Sequence, residues 1–317
     1  MSILALVRKQ PLINSIGRKV LAAGKRMCSV FERKVYPRWR VSGVVSLEVE
    51  SARFNLYAEC DDFTVDELYY GKYSEDLEVR LFVNFALKAN CILDVGANVG
   101  LYAILSGVTN RGAQVFAFEP HPTNASRVRK NIEINQLSNV SVIEQAVGAE
   151  DQPISLTVPD DMRITQIASN DASFSKQFHR GELSYTNIEV ECTTLDHFIN
   201  EFKVLEVDLI KIDVENFEME VFKGASSLFE SFAPIVFCEI HMNKEREAFF
   251  AAFLEKYNYQ MYALLENALC EVDDLSERYG VRNFLLAKRG KRRKFYPVRN
   301  DNMSDLVNTF RQVLQNN

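Results

Sequence analysis

Short, almost uninterrupted apolar runs recur along the middle of the chain, and the stretches between them are amphipathic at helical spacing. Cys91–Val95 (CILDV) reads as a short buried strand, Leu101–Thr109 as a helix and Gln114–Phe118 as a second strand. Arg111 and Gly112 make the turn between the last two. Residues 122–135 follow as a helix with Val128, Ile132 and Ile134 available for packing, and 140–144 as a third strand. Further strands are expected at 208–212, 235–238, 259–264 and 284–287. Strands that are apolar at nearly every position and separated by helices indicate a parallel sheet covered on both faces. Upstream, 44–50 and 54–58 suggest a hairpin, and 75–88 a helix that buries Leu77, Leu81, Phe82 and Phe85. Residues 159–188 are polar without a period and read as a long loop, a feature that is often functional in a compact domain.

The organisation expected is therefore a basic tail or helix over 1–34, a small module over 35–85, an α/β domain over 86–290 and a C-terminal helix or tail over 291–317. With 47% hydrophobic and 25% charged residues the composition is that of a globular protein, large enough to need no disulfides. No two of the six cysteines form a C-x-x-C pair, so neither a zinc knuckle nor a redox motif is present, and a reducing, cytoplasmic setting is expected. Residues 1–34 carry eight Lys/Arg against one acid, Glu32, so the rest of the chain is more acidic than the overall charge of −6. An acidic body argues against nucleic acid as a partner. Leu12, Ile13, Ile16, Val20 and Leu21 line one helical face of the basic segment, which suits peripheral contact with an anionic membrane; a solvated helix or tail accounts for the same pattern. A second basic cluster, 288–294 (KRGKRRK), reads as a solvated tail. No stretch is long and apolar enough to span a bilayer, and Arg8 and Lys9 interrupt any signal-peptide core.

Candidate chemistry begins at Asp94-Val-Gly-Ala-Asn-Val-Gly100, directly after a strand and before a helix. Gly96 and Gly100 permit a tight turn and close approach of backbone to a ligand, and the helix start beyond them presents free N–H groups. The Asp94 carboxylate can accept from an ammonium. Glu119 ends the next strand, about one strand–helix–strand unit later, where an acid can accept both hydroxyls of a ribose. A nicotinamide dinucleotide is the competing cofactor, but its G-x-G-x-x-G fingerprint wants glycine where Asn98 stands, and an acid at 94 repels a pyrophosphate. Adenosylmethionine carries no phosphate and its ammonium suits that acid. A purely turn-shaping role for these residues is the simpler alternative. Asp213 and Glu215 end the fourth strand, and Glu239 and His241 the fifth. Residues two apart on a strand share a face, so Glu239 and His241 can converge. Methyl transfer to a hydroxyl needs a held geometry and a base for the acceptor proton, and His241 suits that base, with Asp213 or Glu239 to orient it or to bind a divalent cation. The cation has no diagnostic ligand spacing behind it. His121 is placed at the adenosine rim, His197 at a helix start, and His179 in the polar loop.

As a set, these motifs resemble the FkbM-type methyltransferases over roughly residues 75–290. The motifs are Asp94–Gly100, Ala117-Phe-Glu-Pro120, Gln145-Ala-Val-Gly148, Thr193-Thr-Leu-Asp196, Lys211-Ile-Asp-Val-Glu215 followed by Glu218, Lys223-Gly-Ala225, and Glu239 with His241. The resemblance implies a class I methyltransferase fold, Rossmann-like, with a doubly wound, mostly parallel seven-stranded α/β sheet behind a small N-terminal extension. It implies O-methylation of sugar hydroxyls or secondary metabolites, adenosylmethionine contacts at Asp94, Gly96, Asn98, Gly100, Glu119, Gln145 and Ala146, and Asp213 and His241 on the acceptor side. In the family pattern glycine follows Asp-Val-Glu; here Asn216 does. That glycine suggests a positive φ, and asparagine is the next most tolerant residue, so the turn is expected to survive. Three readings follow: an O-methyltransferase, a non-catalytic nucleoside-binding module, and a nicotinamide oxidoreductase.

Overall fold

A computed structural model describes residues 41–58, 63–70, 76–159, 185–266, 268–276, 280–289 and 295–297. The basic segment 1–34, His179 and the centre of the expected polar loop lie outside the described residues. In chain order the elements are β1 (Gly43–Val49), β2 (Ala52–Ala58), α1 (Phe63–Tyr70), α2 (Asp76–Ala86), β3 (Cys91–Val95), α3 (Leu101–Thr109), β4 (Gln114–Phe118), α4 (Pro122–Ile134), β5 (Val140–Ile143) and β6 (Ala146–Val147). They continue with β7 (Ile154–Pro159), β8 (Tyr185–Val190), β9 (Cys192–Thr193), α5 (Leu195–Glu201), β10 (Leu209–Ile212), α6 (Glu218–Lys223), α7 (Ser226–Ser231), β11 (Ile235–Glu239), α8 (Lys244–Lys256), β12 (Tyr259–Leu265), β13 (Ala268–Glu271), β14 (Asn283–Lys288) and β15 (Phe295–Pro297).

The central sheet runs in the order β15-β13-β12-β14-β11-β10-β3-β4-β5. Strands β11, β10, β3, β4 and β5 are parallel, and β14, β12, β13 and β15 add on antiparallel. The seven strands expected from the α/β pattern are all present, and β13 and β15 extend the sheet to nine strands among the described residues. Strand β15 falls in the C-terminal region read as helix or tail. Strands β7 and β8 form an antiparallel pair that takes both ends of the segment read as loop.

Alternating side chains divide the core in two. Ile92, Phe237 and Leu285 face one side, with the hairpin β1–β2, α2 and α3; Leu93, Cys238 and Leu286 face the other, with α5 to α8. On the second side Phe222, Phe229, Phe250 and Phe253 interlock by stacked and edge-on contacts. Each fully buried ring contributes about 2–3 kcal/mol of burial free energy. Leu77, Leu81, Phe82 and Phe85 of α2 are buried as the periodicity requires, in the same core as the sheet residues Ile92 and Phe237. The edge of β2 is met by asparagine side chains of α4 and the residue after it. Tyr57 N–H donates to Asn131 Oδ1 at 2.8 Å, Asn55 N–H to Asn135 Oδ1 at 2.8 Å, and Asn135 Nδ2 donates back to the Asn55 carbonyl at 2.7 Å. Such pairing replaces a neighbouring strand at an edge whose backbone groups must be satisfied. No helix among the described residues is long and apolar enough to cross a membrane.

Candidate functional site

The parallel strands end along one edge, and the sequence-predicted residues gather there. The turn after β3 is held open by backbone conformation: Gly96 has φ +84, Asn98 φ +53 and Gly100 φ +85. Gly96 is required sterically as well, because a Cβ there would lie 2.0 Å from the Asp213 carbonyl oxygen at the end of β10. Gly96 and Ala97 both donate their N–H groups to the Phe118 carbonyl, at 3.0 and 2.9 Å, which pins the turn to the end of β4. Asn131 Nδ2 donates to the Val99 carbonyl at 2.8 Å, so the asparagine that meets the hairpin also braces this turn.

Asp94 is fully buried. Its Oδ2 accepts from the Ala103 N–H at 2.8 Å and so satisfies the first turn of α3, whose N-cap, Gly100, has no side chain to do it. Burial pushes the Asp94 carboxyl up to about 7; the Ala103 N–H and the charge of Lys211 oppose this, while Asp213 adds to it. Glu119 closes over the turn. Its Oε2 accepts from the Asn98 N–H at 2.7 Å and its Oε1 from the His121 N–H at 3.0 Å. Burial raises it to about 7 as well, against those two hydrogen bonds and one from Asn124. The Oδ1 atom of Asn98 is buried beneath this cover with no hydrogen-bond partner. A buried acceptor of that kind calls for a donor. Glu119 N–H donates to the Ile143 carbonyl at 3.0 Å, which ties the end of β5 to this acid; Gln145, half-buried, and Ala146, buried, follow in the chain.

The adjoining half of the edge belongs to β10 and β11. Asp213 N–H donates to the Val95 carbonyl at 2.9 Å. Beyond it Glu215 and Asn216 have φ of +50 and +75, so the turn that the family makes with glycine is kept with asparagine. His241 Nε2 stands 3.5 Å from Glu239 Oε1, the convergence expected from their spacing. Burial, then the charges of Arg282 and Arg246, hold the His241 imidazole below its ordinary value. Arg246 of α8 donates to the His241 carbonyl at 2.9 Å and to the Asn216 carbonyl at 3.1 Å, clamping the loops after β10 and β11 together. Burial, reinforced by Asp213, Glu239 and Glu218, raises Glu215 to about 9. A cavity of about 310 Å³ opens beside His241, with Val272, Leu275 and Phe284 on its apolar side and Arg282 at its rim.

Other motif residues serve the frame. His121 is the N-cap of α4, its Nδ1 accepting from the Thr123 N–H. His197 pairs on the surface with Asp151 and Glu201. Asp196 accepts from the N–H groups of Ser227 and Leu228 and so caps α7. A Cβ at Gly224 would lie 2.0 Å from the Gly148 carbonyl oxygen, and one at Gly148 would lie 3.0 Å from Cys192 Sγ and from Phe217 Cε1. Among the described residues no group of three or more His, Cys, Asp or Glu is disposed to hold a metal.

Sequence reasoning gave no role to Lys211, Glu78, Arg246 or Arg282. Lys211 did leave a signal: it is a lone charge inside the buried strand Leu209–Ile212 (LIKI), where charged residues occur only with a partner. The partner, Glu78 on α2, is supplied by tertiary packing, with Oε1 2.8 Å from Lys211 Nζ.

The description of the Methyltransferase FkbM domain matches residues 94–262, just over half of the chain, and takes in both halves of this edge. "Methyltransferase 1" of Beauveria bassiana is 28% identical over 149 residues, which cover 42% of this chain and 57% of that protein. The hexuronic acid methyltransferase AglP of Haloferax volcanii is 27% identical over 163 residues, covering 51% of this chain and 61% of that protein. The chain thus spans about three fifths of the length of these curated relatives. The crystal structure of a methyltransferase FkbM from Methylobacillus flagellatus superposes with a TM-score of 0.40 at 14% identity, over 73% of this chain and 55% of that one. With the turn of residues 94–100, Glu119 and the ends of β10 and β11 all inside the matched region, the chain belongs to the FkbM methyltransferase domain family.

Proposed function

We propose that the chain is an adenosylmethionine-dependent O-methyltransferase whose acceptor is a hydroxyl of a sugar or small metabolite. The observation that carries this reading is the turn of residues 94–100 closed by Glu119, with the buried Asn98 Oδ1 awaiting a donor. A nucleoside with an amino-acid tail offers donors of the kinds this site lacks: an ammonium, ribose hydroxyls and an adenine amine. Glu119 and Asn98 would hold the ribose and neighbouring groups, Gln145 and Ala146 the adenine side, and the Gly96–Gly100 backbone the amino-acid tail. The bound cofactor supplies a methyl group on a sulfonium sulfur. A pyrophosphate finds no such welcome, since two buried acids, Asp94 and Glu119, bond the backbone on either side of the turn.

On the acceptor side, a depressed imidazole is neutral near pH 7 and free to take a proton. His241 accepts the hydroxyl proton as the acceptor oxygen attacks, and Glu239 orients the ring and balances the imidazolium. Asp213 fixes the acceptor from the end of β10. The cavity beside His241 has the size of a small ring and offers it an apolar wall with a charged rim. The sugar acid named for the Haloferax relative falls within that class. The basic residues 1–34 add a proposed peripheral contact with anionic membrane from the cytoplasmic side, which vesicle flotation with and without that segment tests.

Labelled adenosylmethionine with a panel of sugars, uronic acids and hydroxylated metabolites tests the activity. His241→Ala is expected to slow transfer about 100- to 10,000-fold with cofactor binding unchanged. Undiminished turnover removes His241 as the base. Cofactor binding without transfer to any acceptor supports the nucleoside-binding module instead.

A further inference from the structure

We propose that Lys211 is a positioning residue, held on Glu78, whose buried ammonium fixes the Asp213 carboxylate and supplies the counter-charge for Asp94, so that helix α2 completes a site whose family match begins only at residue 94. The inference rests on the cofactor reading above and names the device that sustains it.

Lys211 and Glu78 are each at most 2% exposed in their side chains. Lys211 Nζ lies 2.8 Å from Glu78 Oε1 and 3.5 Å from Asp213 Oδ2, and 5.1 Å above the centre of the Tyr102 ring. The Tyr102 hydroxyl donates to the same Glu78 oxygen at 3.0 Å, which fixes the anchor in turn. Parallel pairing sets Lys211 directly opposite Asp94. The ammonium therefore sits among three carboxylates, from α2, β3 and β10, beneath the turn and beside the acceptor end of the sheet. A charge so deep is tolerated only with well-placed partners, and an apolar residue of the same length would pack at least as stably. Packing alone gives no reason for a lysine here. A site that must keep acids ionised under a cationic cofactor does.

The groups facing Asp94 are Lys211 and Asp213 from β10, Glu119 from β4 and the Ala103 N–H from α3, with Glu78 of α2 behind Lys211. Lys211 is the cation among them, and its attraction opposes the burial that lifts Asp94 to about 7. Removing it leaves Asp94, Asp213 and Glu78 to repel one another, so Asp94 takes its proton at higher pH.

The test is the pH dependence of adenosylmethionine affinity, by calorimetry on the full chain, for wild type, Lys211→Met, Lys211→Arg and Glu78→Gln. Lys211→Met is expected to move the midpoint to higher pH by about one unit, with roughly tenfold weaker binding below it and recovery above it. Lys211→Arg restores the wild-type midpoint. Glu78→Gln frees the ammonium to act on the site's own acids and moves the midpoint the other way. Loss of packing alone weakens binding equally at every pH and moves the two neutralising variants in the same direction. An unchanged midpoint in Lys211→Met, or in Glu78→Gln should the first variant not fold, overturns the proposal. A wild type that binds no adenosylmethionine overturns the cofactor reading instead.

Discussion

Replacing Gly96 by alanine tests the turn at its tightest point. The residue has φ +84, and its added Cβ would lie 2.0 Å from the Asp213 carbonyl oxygen, 2.8 Å from the carbonyl carbon and 3.2 Å from Val214 Cγ1. The first two atoms are backbone, so no rotamer change relieves the overlap. A left-handed conformation costs alanine about 1–2 kcal/mol. Reaching van der Waals contact requires the end of β3 and the end of β10 to part by about 1 Å or more. That parting loosens the Asp213 N–H bond to Val95 and the paired bonds of Gly96 and Ala97 to Phe118, each worth about 1 kcal/mol. The destabilisation expected is roughly 3–5 kcal/mol in all. Two other glycines separate its parts. Gly280 has φ +72 with no described atom within 4 Å of the added carbon, so Gly280→Ala carries only the conformational cost, about 1–2 kcal/mol. Gly112 meets just the Asn110 Oδ1 at 3.4 Å, so Gly112→Ala is expected to be nearly neutral. Urea unfolding of the three variants gives the energies, and calorimetry with S-adenosylhomocysteine gives the effect on the site, where Gly96→Ala alone should lose at least about tenfold in affinity. A Gly96→Ala protein no less stable than Gly280→Ala, with wild-type affinity, would show that the close approach of these two strand ends is not real.

Burial raises Glu218 from 4.5 to about 7, so the folded chain holds that proton through a window where the unfolded chain has lost it, and stability falls as pH rises from one value to the other. Glu218→Gln should therefore match wild type near about pH 5 and exceed it near about pH 8 by up to about 3 kcal/mol, measured by urea unfolding at both. Asn131→Ala strands the Tyr57 N–H and the Val99 carbonyl together and should cost roughly 2–4 kcal/mol by the same measurement. At Asn216, with φ +75, substitution by glycine should change stability by less than about 1 kcal/mol, whereas valine should cost at least about 2 kcal/mol; equal melting of the two variants contradicts the turn geometry.

The strands and helices nearest the turn follow their sequence pattern to the residue. Cys91–Val95, Leu101–Thr109 and Gln114–Phe118 each have one dominant signal, an apolar run or a glycine boundary, and nothing competes with it. The pairs β6–β9 and β7–β8 were not legible, because two-residue strands have no period and the second pair flanks a long polar segment. Helix α8 was missed although Asn243 caps it, since its apolar residues crowd into a single short cluster, Ala248 to Leu254, instead of spreading over several turns. Within the site, the gathering of Asp94, Glu119, Asp213, Glu239 and His241 on one edge follows from strand order, which alternation of strands and helices implies. What each carboxylate touches does not follow. The bond of Asp94 to the Ala103 N–H and the ion pair of Lys211 with Glu78, which spans over a hundred residues, come from tertiary packing that no local pattern connects.

Calorimetric titration of wild type and Glu119→Ala with S-adenosylhomocysteine asks most directly whether the turn and its covering acid form a cofactor site. Wild type should bind, and the variant should bind at least about 30-fold more weakly, the loss of one charge-assisted pair of hydrogen bonds. Equal affinity in the two proteins, or binding by neither, would contradict it.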